Sequence, residues 1–346
     1  MIFYYSIFMV LFAFYMLSAE ETQKKLLYTI SGFLLTIIAG FRSIHTDRDY
    51  ATYVSYIQKI DQLQLVQLEP SFFLITKLGY FLGHPITVVF LVYAILGVGL
   101  KFKAITALTE FWFLSIIIYF SYYFFMHEMT EIRVGVSSAI LLLSIKDIYK
   151  RNLVGFVVKM ALGVFFHYSF LVFGAFYFLN PKRLKPVIFY VIIGFAYLLY
   201  FSGFDSLTLI RLIPLPFIQT KIDAYRSLMA AGSHLEINVL NVLLIYRLIF
   251  MVVLLVSYKL LATYNKYSII LIKIYSFSIF FLVFLASMPV LAFRVNQLLC
   301  IVEIILWPFI IYLVKEKHLA VVLVVLTALG FITLELFYNQ LVAPYF

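Results

Sequence analysis

The stretch ITVVFLVYAILGVGL, residues 86–100, decides the fold class because it is apolar without interruption. The stretch HLAVVLVVLTALGFITLEL, residues 318–336, has the same character. Neither alternates between polar and apolar residues, as the strands of a transmembrane β-barrel do. Long, continuous apolar runs are instead typical of helices that cross a membrane. The sequence therefore predicts an all-α, polytopic integral membrane protein.

The composition agrees with this class. Hydrophobic residues make up 65% of the 346 residues and charged residues 12%, whereas a soluble domain is about half apolar and about a quarter charged. A water-facing protein of this composition would expose more apolar surface than solubility allows. The formal net charge of +10 does not indicate a nucleic-acid partner, because the basic residues are spread over short loops between apolar runs.

Apolar runs separated by charges predict about twelve transmembrane helices in a single domain, residues 1–346. The predicted spans lie near residues 2–19, 26–41, 86–100, 111–126, 132–145, 153–166, 168–179, 187–202, 241–258, 268–287, 297–314 and 319–337. Residues 70–83 are apolar but short and include Lys77, which predicts a re-entrant or interfacial helix. Two long loops remain: residues 42–85, which contain this short helix, and residues 203–240.

The lysines predict which side of the membrane each loop faces. Alternate short loops are rich in lysine, and the positive-inside rule assigns those loops to the cytoplasm. The lysines in question are Lys24, Lys25, Lys101, Lys103, Lys146, Lys150, Lys182, Lys185, Lys259, Lys266, Lys315 and Lys317. Twelve spans then place both termini, and both long loops, on the periplasmic side.

Arginine is distributed differently, since most arginines lie in or beside the periplasmic loops. A guanidinium group stays charged when desolvated and binds phosphate through two parallel hydrogen bonds. A charge at membrane depth costs at least ~2.5 kcal/mol on insertion scales, so it is by default paired or functional. A structural ion pair is the alternative for each arginine, but several on one side predict a shared site for a lipid-linked diphosphate. The candidate diphosphate ligands are Arg42, Arg133, Arg226 and Arg294, followed by Arg211 and Arg247.

Four residues on the same side are candidates for proton transfer. They are His167, Asp49, Glu131 and Asp47. Burial would raise the pKa of a carboxyl group and neighbouring arginines would lower it, whereas imidazole titrates near neutral pH, which slightly favours His167. The candidates for glycan binding are Tyr50, Tyr53, Glu69 and Tyr225. No carboxylate–histidine cluster has metal-ligand spacing and no glycine-rich phosphate loop is present, so neither a metal nor a cofactor is expected.

Five short motifs follow one another along the chain. They are Arg42 followed by Asp49-Tyr50-x-x-Tyr53, then Glu69-Pro70-Ser71-Phe72, Ile132-Arg133-Val134-Gly135, His167-x-Ser169, and Arg294. Their order and placement resemble the EpsG-like branch of the bacterial polysaccharide polymerases, the Wzy class. That family tends to have Gly-Thr before its Asp, where this chain has Asp47-Arg48, so either Asp47 or Asp49 is the equivalent residue. The family's Arg-Gln-Gly is Arg-Val-Gly here.

This resemblance implies an activity. Proteins of this class join repeat units of O-antigen, capsular polysaccharide or exopolysaccharide, which are carried on undecaprenyl diphosphate, at the periplasmic face of the bacterial inner membrane. They transfer the growing chain from its lipid diphosphate to the next lipid-linked unit, and chain length is generally attributed to a separate partner. Positive groups that stabilise the leaving diphosphate and one general base suit this chemistry. The expected partners are the lipid-linked oligosaccharide and membrane lipid.

Three alternatives stay open at this point. An O-antigen ligase uses the same donor but transfers the glycan to lipid A core. A polytopic glycosyltransferase that uses a lipid monophosphate sugar would need fewer arginines. A transporter or flippase for lipid-linked oligosaccharides should have an internal repeat and polar residues at the bilayer midplane. No repeat is obvious between the two halves, and the polar residues concentrate on one side, which favours an enzyme.

Overall fold

The computed structural model describes residues 1–64, 68–204 and 237–344. Within these ranges the regular structure is helical, apart from one isolated β-bridge, so the all-α prediction is confirmed. The helices are α1 (Ile2–Leu17), α2 (Glu21–Gly40), α3 (Tyr50–Asp61), α4 (Pro70–Phe81), α5 (Pro85–Leu108), α6 (Trp112–Ile118), α7 (Ile132–Lys150), α8 (Leu153–Phe166), α9 (Pro186–Phe201), α10 (Val242–Tyr264), α11 (Ser268–Phe284), α12 (Pro289–Cys300), α13 (Glu303–Leu306), α14 (Ile310–Leu313) and α15 (Lys317–Thr333). Two π-helical segments, Tyr119–Thr130 and Leu334–Tyr338, extend α6 and α15, and two segments, Tyr168–Phe178 and Trp307–Phe309, are 3₁₀ helices.

Four helices in the described ranges are long and apolar enough to cross a membrane. They are Pro85–Leu108, Val242–Tyr264, Pro289–Leu313 and Lys317–Tyr338. Shorter apolar helices coincide with five further predicted spans: Ile2–Leu17, Leu153–Phe166, Tyr168–Phe178, Pro186–Phe201 and Ser268–Phe284. The protein is therefore membrane-embedded, while the count of twelve crossings and the periplasmic location of the termini stay predictions.

The first long loop contains more regular structure than the sequence predicted. The expected short helix is α4, and it begins at Pro70, whose missing N–H suits a first helical position. A further helix, α3, precedes it, and its residues Tyr53, Ile57 and Ile60 are buried at the spacing of one helical face. Because α3 and α4 both contact α5, the loop is packed onto the helical bundle. The second long loop lies almost entirely outside the described residues.

Both ends of the chain lie beside the loop that follows α2. The backbone of Asp47 pairs with Val342 in the isolated antiparallel bridge, and the N–H of Ala343 donates to the carbonyl of Thr46 at 2.9 Å. The hydroxyl of Tyr4, near the start of α1, donates to the carbonyl of Ala343 at 3.0 Å. The two termini therefore lie at the same end of the bundle, as an even number of crossings requires.

Lys101 does not lie in a cytoplasmic loop, contrary to the prediction. Helix α5 continues beyond residue 100 to Leu108, which places Lys101 in the interior of the bundle. Its ammonium lies 2.5 Å from Oε1 of Glu128 and donates to the carbonyl of Gly135 at 2.7 Å. A buried ammonium needs such partners because it has lost its water. Polar contacts as well as packing therefore join α5 to α7.

Two glycines make room for the Glu128 side chain. A Cβ atom at Gly97 in α5 would overlap Oε2 of Glu128, and one at Gly135 in α7 would come within 2.6 Å of the carbonyl oxygen of His127. Larger residues at these positions would push the carboxylate away from Lys101. The glycine of the Arg-Val-Gly motif thus has a packing role.

Replacing Gly97 tests this close approach. We expect Gly97→Ala to destabilise the protein by about 1–3 kcal/mol, because the new methyl group overpacks a filled interior, and to lower its melting temperature in detergent. Gly99→Ala is the matched control, since a Cβ there meets nothing within 4 Å. Alanine is favoured over glycine in a helix by roughly 0.5–1 kcal/mol, so the control should be neutral or stabilised. An equal loss in both variants would contradict the steric explanation.

Candidate functional site

A small pocket of about 70 Å³ brings together side chains from four separate segments of the chain. Its lining residues are Asp49, Tyr53, Glu131, Arg133, Val134, His167 and Arg294. All of them except Val134 are predicted site residues. The fold thus places side chains from the first loop and from α12 around one space, which we call the small pocket.

The local structure explains this convergence. The lining residues lie at or near helix ends: Asp49 and Tyr53 at the start of α3, Glu131 and Arg133 at the start of α7, His167 after α8, and Arg294 in α12. The first N–H groups of a helix lack intrahelical partners and carry partial positive charge. The π-helical segment Tyr119–Thr130 ends at Glu131, and π-helical turns are frequent at functional sites. The starts of α3 and α7 therefore add to the positive potential of the small pocket.

Glu69 does not line the small pocket, but it contacts two residues that do, Arg133 and His167. Its carboxylate forms an ion pair with Arg133 through Oε2, and Oε1 lies 2.8 Å from Nδ1 of His167. Burial opposes ionisation of Glu69, but the hydrogen bond to His167 and the charge of Arg133 outweigh it and lower the pKa of Glu69 to about 2. Glu69 is therefore ionised, and it fixes the positions of both partners.

His167 is a buried imidazole with one nitrogen available. Burial lowers its pKa, while the contact with Glu69 opposes that effect. A neutral ring that donates from Nδ1 to Glu69 keeps a lone pair on Nε2. Among the residues that the structure describes, Nε2 has no hydrogen-bond partner. The arrangement therefore offers an oriented proton acceptor in the wall of the small pocket.

Glu131 is the second proton acceptor in the pocket. Burial raises its pKa to about 7, although the positive charge of Arg294 opposes the shift. With its amide nitrogen oriented toward the carboxylate, Gln297 donates to Oε2 of Glu131 at 2.6 Å. A carboxyl group that titrates near neutral pH is suited to general acid–base catalysis.

The two arginines of the pocket differ in their partners. Arg133 is paired with Glu69, and the hydroxyl of Tyr53 lies beside the same guanidinium group. Arg294 is half-buried, and no acidic residue within the described ranges forms an ion pair with it. Arg294 therefore offers a guanidinium group that an anion can bind.

A second space of about 1100 Å³ adjoins the small pocket, and we call it the large cavity. Asp49 and Glu131 line both spaces, so the two share a boundary. Arg48, Asn296 and Gln297 also line the large cavity, and none of them was predicted as a site residue. Arg48 lies between the two candidate aspartates in the sequence, and this position could have identified it as a site residue. Asn296 and Gln297 belong to no motif of the sequence.

Arg42 does not line either space. It is buried, its Nε lies 2.7 Å from Oδ2 of Asp47, and one guanidinium nitrogen donates to the carbonyls of Ala39 and Glu128 at 3.0 and 2.7 Å. Its guanidinium carbon also lies 4.0 Å from the centroid of the Phe90 ring. These contacts occupy the side chain and indicate a structural role.

Arg247 lines the large cavity but has a dedicated partner. Its Nε and one terminal nitrogen donate to the two carboxylate oxygens of Glu303 at 3.0 and 3.2 Å. The pair is neutral and buried. The predicted residues Arg211, Arg226 and Tyr225 lie outside the described residues.

The two candidate aspartates have different surroundings. Asp47 is paired with Arg42, and its Oδ1 accepts from the N–H of Asp49 at 2.9 Å. Asp49 is half-buried and lines both the small pocket and the large cavity. Tyr50 stacks on Phe90 with 4.9 Å between ring centroids and lines neither space. Of the first motif, Asp49 and Tyr53 are therefore the residues that face the site.

The EpsG family model matches residues 25–346, nearly the whole chain. The chain belongs to the EpsG family. The resemblance drawn from the short motifs is thereby confirmed. No curated protein and no solved structure matches the chain. EpsG membership indicates a glycosyltransferase-like role of the polysaccharide-polymerase type. Within the described residues, no group of three or more His, Cys, Asp or Glu side chains could hold a metal ion.

Removing the charge of Glu69 tests its linking role. We expect Glu69→Gln to lower the free energy of unfolding by on the order of 3 kcal/mol, because Arg133 is left buried without its counter-ion. Thermal unfolding in detergent measures this loss. Glu21→Gln is the matched control, since Glu21 pairs with Lys25 on an exposed helix surface, where such pairs contribute about 0–1 kcal/mol. A loss at Glu69 no larger than at Glu21 would exclude the linking role.

Proposed function

We propose that this protein polymerises oligosaccharide repeat units carried on undecaprenyl diphosphate, at the periplasmic face of the inner membrane. The observation that supports this best is the small pocket, where two arginines and two proton acceptors face one space. The products would be O-antigen, capsular polysaccharide or exopolysaccharide, with chain length controlled by a separate partner.

The proposed reaction is a substitution at the anomeric carbon of the donor chain. A hydroxyl oxygen of the acceptor forms the new bond to that carbon and gives up its proton to a base. The bond from the anomeric carbon to the diphosphate oxygen breaks, and the lipid diphosphate leaves with the electron pair. The protein must therefore stabilise negative charge at one point and accept a proton at another.

Arg133 and Arg294 are the proposed ligands of the leaving diphosphate. Preformed positive groups aimed at developing charge are usually the largest contribution to such catalysis. An anion beside Nε2 of His167 would favour the protonated ring, which Glu69 stabilises, so that His167 donates to the same oxygen atoms. Arg226 and Arg211 of the second long loop are proposed as additional ligands. The contacts of Arg42 and Arg247 favour structural roles for those two residues.

Glu131 is the proposed general base. It faces both the small pocket and the large cavity, and its pKa of about 7 matches a base that works near neutral pH. His167 lines the small pocket alone, which suits the leaving group better than the acceptor. Asp49, rather than Asp47, is the proposed equivalent of the family's aspartate, because Asp49 faces the site.

Loss of the Arg133 charge tests the diphosphate site. Purified protein given a defined lipid-linked repeat, without nucleotide or divalent metal, is expected to produce a ladder of polymers. Arg133→Ala should reduce that activity by about 10²–10³-fold and leave the single repeat. Arg183→Ala is the control, since Arg183 is exposed and lines neither space. Full ladders from Arg133→Ala would contradict the proposed role of Arg133. Transport of the lipid-linked repeat without formation of a new glycosidic bond would contradict the proposal that the protein is an enzyme.

The proposed base predicts a pH dependence. A general base acts when deprotonated, so activity should fall as the pH falls through about 7. Glu131→Gln should lose activity by about 10²–10⁴-fold. Because burial disfavours the charged carboxylate, the neutral amide should fold at least as well as wild type, which separates catalysis from stability. If the activity of Glu131→Gln still fell as the pH fell through about 7, the general base would be another group.

A further inference from the structure

We propose that the large cavity is the binding site of the acceptor glycan, the sugar whose hydroxyl group attacks the donor. The inference rests on the proposed polymerase function, and it adds a second subsite whose wall includes Phe293, Asn296 and Gln297, which no motif of the sequence contains. The chemical class of ligand is the non-reducing end of an oligosaccharide, with free hydroxyl or acetamido groups.

The sizes of the two spaces assign them to different groups. The small pocket, of about 70 Å³, is far smaller than an ordinary ligand site and suits a group the size of a phosphate. The large cavity, of about 1100 Å³, reaches the upper end of the about 300–1,000 Å³ typical of ligand sites. The large cavity therefore has room for the acceptor sugars as well as for the donor sugar next to the diphosphate, which would lie at the boundary with the small pocket.

The two spaces meet where the proposed chemistry takes place. Glu131 and Asp49 line both of them. A hydroxyl group in the large cavity can therefore contact the Glu131 carboxylate. Its oxygen can then attack an anomeric carbon whose diphosphate lies with Arg133 and Arg294.

Helix α12 separates the two spaces and presents a different face to each. Arg294 lines the small pocket, whereas Phe293, Asn296 and Gln297 line the large cavity. Positions i, i+3 and i+4 lie on one helical face, and position i+1 is turned away from it. One helix therefore carries an anion ligand on one side and a mixed aromatic and amide surface on the other.

That mixed surface suits a sugar. A carboxamide oxygen accepts hydrogen bonds from hydroxyl groups, while the amide nitrogens of Gln297 and Asn296 donate to Glu131 and to the carbonyl of Ser278. The apolar face of a pyranose ring packs against an aromatic ring. The Phe293 side chain is 46% exposed, so its ring is open to a ligand.

Among the described residues of the cavity wall the cations are not in excess. Arg247 is paired with Glu303, and the acids Asp49 and Glu131 accompany Arg48. An isoprenoid chain could form no hydrogen bond with Arg48 or Asp49, which line the same cavity.

A two-substrate assay tests the assignment. Isotope-labelled lipid-linked chains serve as the donor and unlabelled lipid-linked single repeats as the acceptor, and transfer of label is measured while each is varied in turn. We expect Phe293→Ala to raise KM for the acceptor about fivefold or more, with KM for the donor unchanged. Phe284→Ala is the matched control, because Phe284 is a half-buried ring at the end of α11 that lines neither space.

A second variant tests the same wall of the large cavity through its effect on the proposed base, Glu131. Gln297→Leu removes the amide donor from Glu131 and should raise KM for the acceptor while moving the acid limb of the pH profile to higher pH. Gln58→Leu, at an exposed position of α3, should change neither. Melting temperatures in detergent verify that all four variants are folded.

The outcomes separate this inference from the proposed function. If wild type transfers no label, the polymerase proposal fails. If wild type transfers label but Phe293→Ala and Gln297→Leu leave KM for the acceptor unchanged, the acceptor subsite fails alone. A rise in KM for the donor instead would assign the large cavity to the donor chain or its lipid and would also overturn the inference.

Discussion

The site depends on one buried carboxylate, Glu69, which contacts Arg133 and His167 at the same time. The three residues come from the start of α4, the start of α7 and the end of α8, so the contact joins the first long loop to the helical bundle. The ionised Glu69 compensates Arg133, whereas Arg294 forms no ion pair among the described residues and lies in the same pocket as Asp49 and Glu131. A lone carboxylate in this interior would be costly, and its two partners make it stable.

The described arginines that were predicted as diphosphate ligands fall into two groups by their partners. Arg42 and Arg247 each have a dedicated acid, Asp47 and Glu303 respectively, and both guanidinium groups are buried. Such pairs satisfy charges that the fold has removed from water, and they leave little capacity for a ligand. Arg294 has no such acid in the part of the chain that the structure describes. The proposed anion site therefore rests on this arginine more than on the number of arginines nearby.

The sequence predicted the fold class and much of the small pocket, but not how the helices are turned. Continuous apolar runs identified the membrane segments, and motif order identified Asp49, Arg133, His167 and Arg294. Lys101 was misplaced because hydropathy cannot distinguish a lysine in a loop from one paired inside the bundle. Whether Arg42 and the amides of α12 face the site depends on the direction of their side chains. Each residue advances a helix by about 100°, so neighbours in the sequence point in different directions.

Volume and charge together restrict where a reaction can occur. The small pocket, of about 70 Å³, suits a group no larger than a phosphate, and Arg133 and Arg294 are its two cations. The large cavity admits several sugars and offers hydrogen bonds from amides rather than net positive charge. A sugar and a diphosphate that are joined by one bond cannot both lie in the small pocket. In the proposed reaction the bond between them would therefore cross the shared boundary, where Glu131 and Asp49 lie, so that bond cleavage and proton transfer would be close together.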